Sequence, residues 1–254
     1  MVATASTAWI TCLQPNPRAA LSFFCFPYAG GSATIFKTWA DGLPRSVEVY
    51  AVQLPGRERR LQERPLTSMA ELADSISRAL RPYLTRPFAF FGHSMGAKLS
   101  FEVALNLRKQ QAPEPSSLIV SGCRAPHLPS TDALTYRLPE SEFIEKLRRL
   151  NGTPREILEH PELMELLLPT LRADFQVVET YAPTLPVRPF GCPLTAYGGL
   201  LDAEVARADL EAWRVYTSAD FVVRMLPGDH FFLQQSESLL LSTIGRDLQQ
   251  ITGR

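Results

Sequence analysis

The most constraining feature of this chain is a serine between two glycines, directly after an apolar run. The stretch PFAFFGHSMGAKLSFEVALNL (87–107) carries Gly92, Ser94 and Gly96 in a GxSxG pattern, with a helical period after it. A chain reverses this sharply between strand and helix only where Cβ atoms that would clash are missing. The pattern therefore predicts a nucleophile elbow, in which the Ser94 hydroxyl stands at a strand end in a strained backbone conformation.

Apolar runs alternate with helical segments along most of the chain. Continuous apolar runs are typical of strands covered on both faces, and strand–helix–strand alternation indicates parallel pairing with right-handed crossovers. We therefore predict an α/β fold with a mostly parallel central sheet flanked by helices. The predicted strands are 21–26, 47–54, 87–92, 117–122, 193–198 and 220–226. The predicted helices are 33–42, 68–82, 95–111, 203–213 and 236–251.

One interval, 123–192, is too long for a single crossover helix with short loops. It contains PESEFIEKLRRLNG (139–152), with Gly152 suited to a C-cap, and then HPELMELLLPTLRADFQVVETY (160–181), whose apolar residues recur at helical spacing. The interval leaves the sheet at the carboxyl edge, where open α/β sheets place their ligands. We predict a helical lid insertion, with residues 1–122 and 193–254 forming the core.

A serine nucleophile needs a base, and only four histidines are present. His93 is adjacent to Ser94, so its side chain should point away from the hydroxyl, while His127 and His160 fall in the insertion. His230 follows the last predicted strand in LPGDHFF, at the carboxyl edge of the sheet. We therefore predict that His230 is the base, against the simpler interpretation of an ordinary loop histidine.

The base in turn needs a carboxylate to orient it. In this architecture the acid lies between the serine and the histidine in chain order, which favours Asp202 in PLTAYGGLLDAEV. Its rivals are Asp229, next to the histidine in sequence, and Asp174 in the insertion; a helix N-cap is the alternative role of Asp202.

Two backbone N–H groups are candidates for an oxyanion hole. The Met95 N–H opens the helix after Ser94 and points toward any group attached to the serine oxygen. The second donor should come from the loop after the first strong strand, FPYAGGSATIF (26–36), where Gly30 and Gly31 allow a tight turn and the Ala29 or Tyr28 N–H can face the site.

Charge and composition limit the kinds of partner and the compartment that we expect for this chain. The chain has 26 Lys and Arg against 26 Asp and Glu, so no global field draws it to nucleic acid or to an anionic membrane. Four scattered cysteines without a CxxC pair favour buried thiols in a reducing compartment over a metal site. Neither a secretory signal nor a bilayer-spanning stretch is evident, so we expect a cytoplasmic protein. The cysteine spacing leads us to expect no metal site.

Six motifs together resemble the type II thioesterases that accompany modular polyketide and nonribosomal peptide synthetases, members of the α/β-hydrolase superfamily. The animal medium-chain fatty acyl thioesterases are similar in the same places. The resemblance runs in order over nearly the whole chain. The motifs are FPYAGGS (26–32), LPGRERR (54–60), GHSMGA (92–97), LRADFQVVETY (171–181), YGGLLD (197–202) and GDHFF (228–232).

The resemblance implies an α/β-hydrolase fold with Ser94 as nucleophile, His230 as general base and acid, and Asp202 as orienting carboxylate. It also implies that the N–H groups of Ala29 and Met95 form the oxyanion hole. The family more usually carries an extra aspartate about where Leu200 stands. Without it, Asp202 has one competitor fewer for the role of the orienting carboxylate. The implied substrate is an acyl group on the phosphopantetheine arm of an acyl or peptidyl carrier protein, and the implied role is editing in antibiotic biosynthesis. No cofactor is implied, and we expect a monomer.

Two surfaces are candidates for recognition. Apolar residues of the insertion either cap an acyl chamber or bury the insertion on the core: Leu163, Met164, Leu166, Leu167, Leu168 and Phe175. The run GRERRLQER (56–64) supplies Arg57, Arg59, Arg60 and Arg64, a possible docking patch for acidic carrier domains. Glu58 and Glu63 favour instead a solvated loop that pairs with itself.

Two other classes of function remain open. A medium-chain fatty acyl thioesterase acting on carrier or CoA thioesters, or a general carboxylesterase, would use the same triad. A catalytically silent binding protein is the third interpretation, although such proteins usually lose the nucleophile or the histidine.

Overall fold

The centre of the molecule is a seven-stranded sheet, seen in a computed structural model that describes residues 7–129 and 134–253. Its strands are β1 (Ile10–Cys12), β2 (Leu21–Phe26), β3 (Val47–Val52), β4 (Phe88–His93), β5 (Ser117–Ser121), β6 (Leu194–Gly199) and β7 (Phe221–Leu226). They are ordered β1-β3-β2-β4-β5-β6-β7. Only β1 is antiparallel to its neighbour, and all other pairs are parallel. This confirms the predicted α/β architecture.

The middle strands are apolar on both faces because both faces are covered. Every residue of β2 and β4 is buried. Phe24 and Phe90 belong to one core cluster, whereas Phe23 and Phe91 belong to the cluster on the opposite face. Successive side chains of a strand point to opposite faces, so an uninterrupted phenylalanine-rich run fills two cores at once.

Helices cover both faces of the sheet. Helices α2 and α3 contribute to the first cluster, while α1 and α9 contribute to the second. Ser68 caps α2 by accepting a hydrogen bond from the Glu71 N–H, as predicted. The helices are α1 (Trp39–Gly42), α2 (Met69–Leu80), α3 (Met95–Lys109), α4 (Glu140–Leu150), α5 (Arg155–Leu158), α6 (Pro161–Glu179), α7 (Arg207–Glu211), α8 (Phe232–Gln235) and α9 (Glu237–Thr252).

Two predicted helices are shorter than expected, and one strand was not predicted. The predicted helix 33–42 is a 3-10 turn, Ala33–Phe36, followed by the single turn α1. The predicted helix 203–213 is reduced to α7, which continues as the 3-10 segment Ala212–Tyr216. Strand β1 was not predicted, because three residues are too short to display a period.

Helices α4, α5 and α6 follow one another between β5 and β6, within the interval predicted to be helical. They enclose a cluster of their own, which includes Phe143, Leu147 and Met164. Helix α4 ends at Asn151 in the left-handed conformation (φ 59°), not at Gly152 as predicted. Asparagine tolerates this conformation, and Gly152 lies instead where an added Cβ would overlap the Phe231 ring. The division into core and lid stays a prediction.

Candidate active site

Ser94 lies at the sharp turn between β4 and α3. Its backbone has φ 53° and ψ −115°, a sparsely populated conformation for a residue with a side chain. A Cβ on Gly92 would overlap the Gly96 carbonyl, and a Cβ on Gly96 would overlap the Phe26 carbonyl. The Ser94 N–H donates to the Ser121 carbonyl at 2.8 Å, which ties the turn to β5. The chain thus adopts the strained turn that the two glycines predicted.

His230 and Asp202 form a direct contact at the carboxyl edge of the sheet. The His230 Nδ1 lies 2.9 Å from the Asp202 Oδ2. The Asp202 side chain is fully buried, and its Oδ1 accepts hydrogen bonds from the N–H groups of Glu204 and Val205 at 2.8 and 3.1 Å. A carboxylate can only accept, so Nδ1 carries the proton and Nε2 is left to act as a base.

The two rival carboxylates are engaged elsewhere. Asp229 accepts hydrogen bonds from the Phe231 N–H and from the Asn151 side chain. Asp174 forms an ion pair with Arg57. Sequence order therefore selected the aspartate that contacts His230.

The other histidines take different roles. His93 is buried with its Nδ1 2.9 Å from the Ser121 hydroxyl. Burial, and then the neighbouring His230, hold the pKa of His93 well below its usual value. The His127 Nδ1 lies 3.1 Å from the Tyr216 hydroxyl, and His160 precedes the first residue of α6.

Ser94 and His230 line the same cavity, of about 410 Å³. Ala29 lines it as well, from the loop after β2. Between β5 and β6 the chain lines the cavity with the charged residues Lys146, Arg149 and Glu179 and with six apolar residues: Leu138, Leu147, Leu150, Leu171, Phe175 and Val178.

Of the six apolar residues proposed for an acyl chamber, Phe175 is the one that lines this cavity. Leu163 and Leu166 are exposed. The remaining three pack in the cluster of α4–α6: Met164, Leu167 and Leu168. Three of the six residues therefore pack within the cluster of α4–α6 itself, which is neither the expected acyl chamber nor the expected contact with the core.

Two backbone N–H groups are candidates for an oxyanion hole: that of Ala29, which lines the cavity, and that of Met95, which follows Ser94 in the chain. In the loop after β2, the Gly30 N–H donates to the Asp174 Oδ2 at 2.7 Å and the Gly31 N–H to the Tyr28 carbonyl at 2.9 Å. The Ala29 N–H has no partner among residues 7–129 and 134–253. The Met95 N–H opens α3, and the first N–H groups of a helix have no partner within it.

The prediction of a docking patch is wrong for Arg57 and Arg60, because both side chains are buried and each is paired with a carboxylate. Arg57 pairs with Asp174. Arg60 forms two bonds to the Glu63 carboxylate, at 2.8 and 2.6 Å, and lies 4.0 Å above the Trp9 ring. Arg59 and Arg64 are exposed, so they are the two that can present charge to a partner.

Sequence reasoning missed the buried ion pair between Arg57 and Asp174, whose Oδ2 also accepts the Gly30 N–H beside the cavity residue Ala29. Asp174 lies three residues after Leu171 and three before Val177, so it falls on the buried face of α6. A carboxylate on an apolar helix face was the available signal, since buried charges are almost always paired.

Neither a metal centre nor a membrane span is evident in the described part of the chain. No group of three His, Cys, Asp or Glu side chains there is placed to hold a metal ion. No helix among those residues has both the length and the apolar character needed to cross a bilayer.

Comparison with known proteins identifies close relatives. The family model "Thioesterase domain" matches residues 22–248. The chain is 43% identical over 243 residues to the gramicidin S biosynthesis protein GrsT of Aneurinibacillus migulanus, covering 96% of this chain and 94% of GrsT. It is 36% identical to the medium-chain S-acyl fatty acid synthase thioesterase of Rattus norvegicus, covering 90% of this chain and 88% of the relative.

Solved structures agree in fold. The type II thioesterase BorB from the borrelidin biosynthetic cluster superposes with a TM-score of 0.87 at 35% identity, covering 96% of this chain and 98% of BorB. This confirms both the α/β-hydrolase fold and the resemblance indicated by the six motifs.

Proposed function

This chain belongs to the thioesterase family, and from that premise we propose that it hydrolyses acyl thioesters on the phosphopantetheine arms of carrier proteins. The proposed role is editing in a polyketide or nonribosomal peptide pathway. The observation that carries the proposal is the 2.9 Å contact of His230 with Asp202, at a cavity that Ser94 also lines. GrsT is named for gramicidin S biosynthesis and BorB for the borrelidin biosynthetic cluster, which supports a role in a biosynthetic pathway.

The proposed chemistry uses Ser94, His230 and Asp202. The His230 Nε2 takes the proton of the Ser94 hydroxyl as its oxygen attacks the thioester carbon. The C–S bond then breaks and the thiol leaves with the proton from His230, which gives an acyl-serine. Water, deprotonated by the same nitrogen, attacks the acyl-serine and releases the carboxylic acid and the free hydroxyl. Asp202 holds the imidazole in the required tautomer throughout.

We assign the oxyanion hole to the N–H groups of Ala29 and Met95. Each donor contributes about 3 kcal/mol of transition-state stabilisation, by comparison with serine hydrolases that lost one. The neighbouring N–H groups of Gly30 and Gly31 are engaged elsewhere, which supports Ala29 as the donor from its loop.

In this proposal the protein supplies nucleophile, base and oxyanion donors, so the hydrolysis requires no resident cofactor. Phosphopantetheine belongs to the substrate. The partner is a carrier protein that binds transiently, with Arg59 and Arg64 as docking candidates. The proposal further includes a cytoplasmic monomer, a core formed by 1–122 and 193–254, and a lid formed by 123–192.

The main alternative is a fatty acyl thioesterase that accepts carrier or CoA thioesters. The likeness to the rat medium-chain enzyme favours it. A general carboxylesterase is the second alternative within the same chemistry, and a catalytically silent binding protein is the one outside it.

Intact-mass spectrometry of acylated carrier proteins tests the proposal. We expect the wild type to remove the acyl mass from the carrier faster than it hydrolyses the matching acyl-CoA or oxygen ester, and Ser94→Ala to leave the carrier acylated. Preference for acyl-CoA would favour the fatty acyl alternative. Preference for oxygen esters would favour a carboxylesterase, and absence of any hydrolysis would favour the silent protein.

A further inference from the structure

We propose that Arg57 and Asp174 are positioning residues for the oxyanion hole. Their buried ion pair holds the loop Tyr28–Gly31 so that the Ala29 N–H faces the cavity, and it makes this geometry depend on helix α6. The inference rests on the proposed hydrolase chemistry and deepens it.

The pair is bidentate and almost completely buried. The Arg57 Nη1 lies 2.7 Å from the Asp174 Oδ2, and the Arg57 Nη2 lies 2.8 Å from the Asp174 Oδ1. The two side chains are 6% and 1% exposed. Such a fork fixes both the distance and the plane of the two groups, which a single hydrogen bond does not.

Both members of the pair also hold the loop after β2. The Asp174 Oδ2 accepts the Gly30 N–H at 2.7 Å, and the Arg57 Nη1 donates to the Gly31 carbonyl at 2.9 Å. Two successive glycines are therefore fixed by one ion pair. The peptide that bears the Ala29 N–H directly precedes them, so its direction is set by the same contacts.

Gly30 can adopt this arrangement because it has no side chain. Its φ is 79°, and an added Cβ would lie 2.6 Å from the Leu171 side chain of α6. Helix α6 thus packs directly on the loop and contributes Asp174 from the next turn. A shift of α6 would remove the acceptor of the Gly30 N–H, which would free the loop to turn.

Arg57 is anchored independently of α6. Its carbonyl accepts a hydrogen bond from the Gln53 side chain, and its Nε donates to the Pro55 carbonyl. The Gln53 Oε1 accepts the Ala33 N–H, which fixes the far end of the same loop. The arginine therefore belongs to the sheet side, whereas the aspartate belongs to the helical side.

Arg57 also has an electrostatic role in this arrangement. A lone carboxylate next to the oxyanion loop would oppose the negative charge that develops on the substrate oxygen. The bidentate guanidinium cancels the charge of Asp174 and leaves its hydrogen-bonding geometry intact. A single neutral acceptor would satisfy the Gly30 N–H. The need to cancel the charge of Asp174 explains why this site contains an ion pair.

Asp174→Asn is the direct test, because it keeps the shape of the side chain but replaces one acceptor oxygen by an NH2 donor, so the bonds to Arg57 and to the Gly30 N–H cannot all be kept. We expect kcat to fall about 10- to 100-fold, part of the loss seen when an oxyanion donor is deleted, with KM changed by less than about threefold. Binding of a trifluoromethyl ketone analogue, which adds to Ser94 to form an oxyanion, should weaken in the same proportion. Binding of a thioether analogue, which forms no oxyanion, should not.

Thr170→Val is the matched control. The Thr170 hydroxyl of the same helix donates to the Gly56 carbonyl at 2.7 Å and is also buried, but it forms no hydrogen bond with the loop Tyr28–Gly31 in the described part of the chain. We expect this variant to lose thermal stability while retaining the affinity for the trifluoromethyl ketone.

Arg57→Lys keeps the test decisive if Asp174→Asn does not fold. Lysine preserves the charge but not the fork, so the ketone affinity should fall below that of wild type. If either variant folds and binds the ketone as tightly as wild type, the pair only stabilises the fold and the inference is wrong. That result would leave the proposed function intact, whereas full hydrolysis by Ser94→Ala would overturn the proposed function itself.

Discussion

The two walls of the cavity are built on different principles. On the sheet side, Ser94, Asp202 and His230 follow the ends of β4, β6 and β7, whose register is fixed by pairing with neighbouring strands. On the helical side, α4–α6 enclose a small cluster of their own and leave Leu163 and Leu166 exposed. Ser94, Asp202 and His230 are thus held by the sheet and its two large core clusters, whereas the apolar residues on the helical side are held by a small cluster.

This difference predicts separate effects for the two walls. Changes on the sheet side should alter the rate for all substrates alike. Changes on the helical side should alter which substrates are preferred, because apolar contacts there discriminate acyl groups by size. The ion pair of Arg57 and Asp174 is the exception, since it joins the two walls.

The largest effect is expected at Asp202. Asp202→Asn should lower kcat about 10⁴-fold for carrier, CoA and small thioesters alike, because the amide favours the wrong imidazole tautomer. Asp229→Asn is the matched control, as its carboxylate bonds to Asn151 and to the Phe231 N–H. Steady-state rates on three substrates measure both variants. Equal losses in the two variants would contradict the assignment of the acid.

A smaller and selective effect is expected at Phe175 on the helical wall. Its ring lies 5.2 Å from that of Phe143 and lines the cavity, so Phe175→Ala lengthens the space open to an acyl chain. We expect the preference for octanoyl over butyryl thioesters to rise about tenfold in kcat/KM. Leu166→Ala, an exposed position on the same helix, should leave the ratio unchanged. An equal loss of kcat/KM for all acyl chain lengths in Phe175→Ala would contradict the predicted difference between the walls.

The buried His93, at the end of β4, also makes the free energy of unfolding depend on pH. Because the pKa of His93 is held well below its usual value, chiefly by burial, the unfolded chain binds a proton that the folded chain does not. The free energy of unfolding should therefore fall by about 1.4 kcal/mol per pH unit below about pH 6.5, until the pKa of folded His93 is reached. Urea titrations of wild type and His93→Leu at pH 7.0 and 5.5 isolate this contribution by difference. An identical pH dependence in both proteins would contradict it.

The smallest effect is expected at the exposed arginines. Arg59→Glu with Arg64→Glu should raise KM for acylated carrier protein by about three- to tenfold at low salt and leave a small thioester unaffected. Arg18→Glu with Arg45→Glu is the control pair, since these exposed arginines lie before β2 and β3, at the amino edge of the sheet. If the control pair raises KM equally, the effect reflects net charge and not docking.

The sequence predicted best those features that depend on local pattern. The elbow at Ser94, the cap at Ser68 and the strands of the sheet follow from glycine spacing, one side-chain hydrogen bond and apolar runs. Placing Asp202 near His230 needed only chain order and the rule that parallel strands end at one edge. Short elements were predicted poorly, because β1 and the bounds of α7 depend on their tertiary neighbours.

Charged residues of the helical wall and its neighbouring loop were the hardest to predict. Arg57 and Arg60 look in sequence like the exposed Arg59 between them, yet each is buried against a carboxylate. The partner of Arg57 is Asp174, more than a hundred residues away. Pairing across such a distance depends on how α6 packs, which no local pattern specifies.

Labelling with a fluorophosphonate followed by peptide mapping tests the central claim most directly. We expect one modified residue, Ser94, with labelling abolished in Ser94→Ala and slowed by at least about 10³-fold in His230→Gln. Labelling that maps to another residue, or that proceeds at the wild-type rate without the His230 imidazole, would contradict it.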